Sequence, residues 1–114
     1  MGFSANETLT ALQTKQENQK MQEIRECLER VCFLILEAQE LGLDHVEIRS
    51  SLGGGVEGRA GSFRILLDWP NRLEHVMHLL EQDGYQVTER RRNVWERLMS
   101  TGHGWVIHIK EGVL

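Results

Sequence analysis

Four groups of residues in this chain have types that could do chemistry. The segment at residues 50–62, SSLGGGVEGRAGS, offers the backbone amides of Gly53, Gly54 and Gly55 beside the planar guanidinium of Arg59, a set that can hold a phosphate or carboxylate. It lacks the GxxxxGK[ST] spacing, and no helix follows to lend its dipole, so a flexible hairpin connection is the plainer reading. His75 and His78 stand three apart on one helical face, but no third and fourth ligand and no HExxH pattern completes a metal set, so no metal is expected. Cys27 and Cys32 would lie about 140° apart on a helix and cannot bridge each other. They read as small buried hydrophobes of a reduced compartment. Ser50, Ser51 and Ser62 sit near glycines without the pattern of an activated nucleophile. The residues therefore predict no enzyme and no cofactor.

The elements that must position these groups follow from periodicity. Residues 1–20 are polar and read as a helical or flexible arm, with residues 21–114 forming a single domain. From Met21 the apolar positions Met21, Ile24, Leu28, Val31, Ile35 and Ala38 recur with the 3,4 spacing of a helical seam. The run VCFLIL at residues 31–36 is apolar on every side, as a helix contacted on two faces requires. The plain account lays this helix across a sheet. The sharper one adds a second subunit, with the seam residues as an oligomer interface. Gly42 ends the helix.

Beyond Gly42 the period changes to two. Residues 45–49 and 63–67 read as strands of one hairpin, joined by a long mobile glycine-rich connection. A second helix starts near Pro70, buries Leu73, Val76, Met77 and Leu80, and ends at Gly84. Residues 85–88 and 105–109 are further strands, and residues 93–99 fit either a short helix or a strand extension. The expected fold is α+β, in the order α-β-β-α-β-β, with two helices on one face of a mostly antiparallel four-stranded sheet.

Alternate strand residues point to opposite sides. With Val46, Ile48, Phe63, Ile65, Leu67, Val87, Trp105 and Ile107 inward, the outward set includes Arg49, Arg64, Arg90 and Lys110 against the single carboxylate Glu47. Arg91, Arg92 and Arg59 extend this set into a basic face that would attract an anionic partner. The competing account pairs these cations with Glu47, Asp68 and Glu89, a source of solubility rather than a site.

Duplex nucleic acid fits poorly. Residues 44–114 hold 9 Lys plus Arg against 10 Asp plus Glu, and residues 1–43 hold 4 against 7. The parity also turns Phe63, Tyr85 and Trp105 inward, away from any base-stacking face. Trp69 and Trp95 fall at element edges, where boundary packing is the plain role and interface anchoring the sharper one.

The passage LLEQDGYQVTER at residues 79–90, followed by GWVIHIK at 104–110, resembles that of small phage- and prophage-encoded accessory proteins, over residues 72–110. The resemblance implies a non-enzymatic virion component or binder of a host factor and carries over no site residues. The chain has 114 residues, a formal net charge of −4 and 40% apolar content, which bound it to one small acidic domain. No membrane-spanning run or signal peptide is evident, so an intracellular, cytoplasmic protein is expected. The expected function is an oligomeric binding module for an acidic or phosphate-bearing partner, a phage-encoded inhibitor among the forms it could take. The alternatives are a protein that sequesters a small nucleotide-like ligand and a structural part of a virion or larger assembly.

Overall fold

A computed structural model describes residues 5–50 and 55–109, with side chains described from residue 12 onward. Gly53, Gly54 and Lys110 lie outside the described residues. Helix α1 runs unbroken over Ala5–Glu40, 36 residues and about 54 Å at about 1.5 Å per residue. Residues 12–20 are exposed throughout, and burial begins at Glu23 and Ile24. The helix closes where expected. Gly42 takes φ 73°, and the amides of Gly42 and Leu43 donate back to the carbonyls of Gln39 and Ala38, at 3.1 and 2.9 Å.

The remaining elements are strand β1 His45–Ser50, β2 Val56–Ala60, β3 Phe63–Leu67, a 3-10 turn Pro70–Arg72, helix α2 Leu73–Gln82, β4 Gln86–Glu89, helix α3 Val94–Leu98 and β5 Gly104–His108. The strands form one antiparallel sheet of five, in the order β3-β2-β1-β5-β4. The fold is therefore α+β with a long amino-terminal helix, as expected, but it has one strand and one helix more than periodicity indicated. The additional strand is β2, inside the glycine-rich connection. It carries little β-branched character, yet Val56, Gly58 and Ala60 are buried while Glu57 and Arg59 point the other way.

Gly58 explains why small residues suffice there. A Cβ at this position would stand 2.7 Å from Leu34 Cδ2, so a larger residue would require the Leu34 side chain to shift where α1 packs over β2. Strand β2 consequently takes the place that periodicity assigned to β3. Glu47 faces Arg59, and β3 joins β2 through a two-residue turn in which Gly61 has φ 62°.

Gly104, at the start of β5, is required for a similar reason: a Cβ there would overlap the Ile48 carbonyl of β1. One apolar core joins α1, α2 and the inward face of the sheet. Val31, Leu34, Val46, Ile48, Val76 and Ile107 are fully enclosed. The four α2 residues expected to be buried are buried.

This packing corrects the oligomer seam. Ile24, Val31, Ile35 and Ala38 are buried in the chain's own core, Leu28 packs against that core half-buried, and Met21 is exposed. The 3,4 spacing serves contact with the sheet and α2, because a helix lying on a sheet needs the same repeat as one lying on another helix. The other half of VCFLIL is only partly covered, by Phe63 of β3 against the Phe33 ring with centroids 6.1 Å apart. Leu36 is 58% and Phe33 49% exposed, and Cys32 is exposed too, against the expectation that both cysteines are buried.

Candidate functional site

The open face of the sheet lies opposite α1 and α2, and the inward and outward parity of β1, β3 and β5 is as expected. Its charge is not. Glu57 lies on β2 between the edge and central strands, with Arg59 Nε at 3.3 Å and Arg64 Nε at 3.5 Å from its Oε1. Arg90 donates through Nε to Glu47 at 2.6 Å and through Nη1 to Glu96 at 2.7 Å and to the Gly102 carbonyl at 3.1 Å.

The basic face expected from parity is therefore a largely neutralised one. Beside Glu47, two carboxylates decide this: Glu57, in the stretch read as a connection, and Glu96, in the stretch that fits either a short helix or a strand extension. Arg49 stays half-buried on β1 and makes no side-chain hydrogen bond among the described residues. Arg92 is half-buried, its Nη1 3.5 Å from the Thr101 carbonyl and 3.1 Å from His103 Nε2. Arg91 is exposed, as is Gly55 ahead of β2. Arg59 lies within β2 with its guanidinium on Glu57.

The surface that stands out is the corner formed by residues 90–103. Asn93 caps α3 in both directions: its Oδ1 accepts from the Glu96 amide at 2.8 Å, and its own amide donates to Glu96 Oε1 at 3.1 Å. The second carboxylate oxygen of Glu96 takes the Arg90 bond, so one side chain ties the cap to the sheet. The Asn93 amide, then the Arg90 guanidinium, hold the Glu96 carboxyl below the usual carboxylate range.

The exit from α3 is equally constrained. The Thr101 amide returns to the Glu96 carbonyl at 2.9 Å, Ser100 adopts φ 54°, and Gly102 at φ 74° is buried where a Cβ would meet the Glu96 carboxylate. No residue of α3 itself is buried. Val94, Trp95, Leu98 and Met99 are instead 60–75% exposed, and Arg91 and Arg97 are exposed beside them.

Among these, the sequence singled out Trp95 as an edge residue and Arg91 as a contact, but not Val94, Leu98, Met99 or Arg97. The N-x-x-E pattern of Asn93 and Glu96 was the signal available for a capped helix there. Trp69 takes the plain role: it is half-buried and its Nε1 donates to Glu26 at 2.9 Å.

Beside the corner lies an open depression of about 220 Å³ lined by Glu89, Arg90, Arg92, His103, Gly104 and Trp105, with a carboxylate among its cations. Among the described residues, no three His, Cys, Asp or Glu side chains converge on a metal position. Burial, helped by Asp68, pushes the Cys27 thiol up to about 11. At the β3 edge, the Arg30 guanidinium donates to the Leu66 carbonyl from Nε at 3.1 Å and Nη2 at 2.9 Å, which closes one acceptor of that edge strand. No helix among the described residues is long and apolar enough to cross a membrane. Compared with protein-family profiles, curated proteins and solved structures, the chain matches none.

Proposed function

We propose that the chain is a non-catalytic binding module whose α3 corner docks an acidic, apolar segment of a protein partner. One observation carries this reading: three large apolar side chains of a five-residue helix and a fourth at its C-cap are displayed within six residues of chain, on a backbone held by a cap, ion pairs and a left-handed exit. Soluble domains rarely expose a contiguous apolar patch without a use for it, and a preorganised patch loses little freedom on binding. Tryptophan and arginine dominate binding energy at such centres, and Trp95 with Arg91 and Arg97 supplies both. The arginines favour a partner of opposite sign. A small phosphorylated ligand is the weaker reading, since Arg59, Arg64 and Arg90 already hold carboxylates.

The test uses a synthetic amphipathic helical peptide with Leu on one face and Glu flanking it, and a second peptide with Lys in place of each Glu. Fluorescence anisotropy should detect binding of the acidic peptide, weakened about tenfold or more by Trp95→Ala and by Arg97→Glu. Equal binding of the basic peptide, or indifference to both substitutions, overturns the proposal.

A further inference from the structure

We infer that the acidic, apolar segment docked by the α3 corner is supplied by a second copy of this chain, namely the partly exposed flank of its helix α1. The inference rests on the docking role proposed above and names the occupant. Two observations make α1 the complement. The first is shape and polarity: Leu36 and Cys32 stay exposed on a flank of α1 beside its core stripe, and Phe33, whose ring packs on Phe63 of β3 with centroids 6.1 Å apart, keeps 49% of its surface open.

The second is charge. Residues 29–44 carry the carboxylates Glu29, Glu37, Glu40 and Asp44 against Arg30 alone, whose guanidinium is committed to the Leu66 carbonyl. Around the α3 corner Arg91 and Arg97 are exposed, while the one carboxylate of residues 90–103, Glu96, is already held by Arg90. An apolar strip with a net acidic border and an apolar knob bordered by exposed arginines therefore occur on one polypeptide, and neither is fully covered by it. Juxtaposing them desolvates apolar area on both sides and sets opposite charges around the rim.

The geometry fixes the kind of assembly. Helix α1 covers the inward side of the sheet, whereas Arg90 anchors α3 to Glu47 on the open side. The two patches thus belong to opposite sides of the molecule, and the contact is heterologous. Copies add head to tail, closing a ring or extending a filament, instead of stopping at a two-fold dimer. This also accounts for VCFLIL being apolar all round: one side serves the intramolecular core, the other the neighbour.

The experiment is sedimentation velocity on the full chain from about 10 to about 500 µM, at low and high salt. Wild type should rise in weight-average mass about twofold or more across the range, less so in high salt. Leu36→Asp spoils the α1 flank and Trp95→Asp the α3 corner. Both positions are exposed, and circular dichroism verifies the fold of each variant. Each alone should sediment as a monomer, and an equimolar mixture should form a one-to-one dimer and nothing larger, since one intact α3 corner then meets one intact α1 flank.

A wild type that stays monomeric at every concentration, or a mixture that fails to dimerise, overturns the inference. If the wild type stays monomeric while the acidic peptide still binds the corner, only the second copy is rejected as occupant. If that peptide fails too, the docking role falls with it.

Discussion

The Arg90 guanidinium donates through Nε to Glu47 at 2.6 Å, tying the residue that follows β4 to the central strand β1. Because Arg90 also holds Glu96 and the Gly102 carbonyl, a side chain only 14% exposed organises the whole displayed corner. Arg90→Ala leaves these acceptors without their donor. Charge-assisted hydrogen bonds contribute about 1.5 to 3 kcal/mol, so urea unfolding should show a loss of that order, with faster amide exchange through residues 93–102. Trp95→Ala, in the same corner, should change stability by less than about 0.5 kcal/mol, because the side chain packs on little. Comparable losses for the two variants would mean that Trp95 is structural and not displayed.

The corner should also loosen in acid. The Asn93 amide and the Arg90 guanidinium lower the Glu96 carboxyl from its ordinary value of 4.5. A carboxyl with a lowered folded-state value contributes stability above 4.5 and loses it as pH falls through that folded-state value. Amide resonances of Asn93 and Glu96 should therefore stay fixed through neutral pH and move below 4.5, before the core resonances of Val46 and Ile107. Movement of both sets together would assign the transition to global unfolding.

Leu34 and Leu36 lie two residues apart on α1 and should respond in opposite ways. Leu34 is fully enclosed, and its truncation to Ala leaves a cavity worth about 2 to 5 kcal/mol. Leu36→Ala should fall within about 0.5 kcal/mol of wild type at a concentration where the chain is monomeric. Equal losses in chemical denaturation would show that α1 is rotated on the sheet.

Thiol labelling offers an independent check on the same helix. Cys27 is buried with its thiol raised to about 11, whereas Cys32 is exposed at the surface, its thiol also raised, by partial desolvation first and then by Asp83 and Glu29. A disulfide reagent at pH 8 should label about one thiol per folded chain, more slowly than a free cysteine, and the second only on unfolding. Immediate labelling of both would contradict the placement of Cys27 under the sheet.

What residue order determined by itself were the features set by local periodicity. The α1 stripe around Val31, the α2 stripe Leu73–Val76–Met77–Leu80, the stops at Gly42 and Gly84 and the alternation of Val46 and Ile48 are all written in spacings of two, three and four. Such features depend on neighbours a few residues away.

Three features were settled only by tertiary contact. Strand β2, Val56 to Ala60, is held between β1 and β3 with Gly58 beneath Leu34 of α1, a contact set from 24 positions away. The open face is largely neutralised because folding brings Glu57 to Arg64 and Glu96 to Arg90. Val94, Trp95, Leu98 and Met99 are displayed because that network holds their helix clear of the core that their composition would otherwise seek. Periodicity records which side of an element is apolar, but which apolar side finds a cover is decided only when the elements meet.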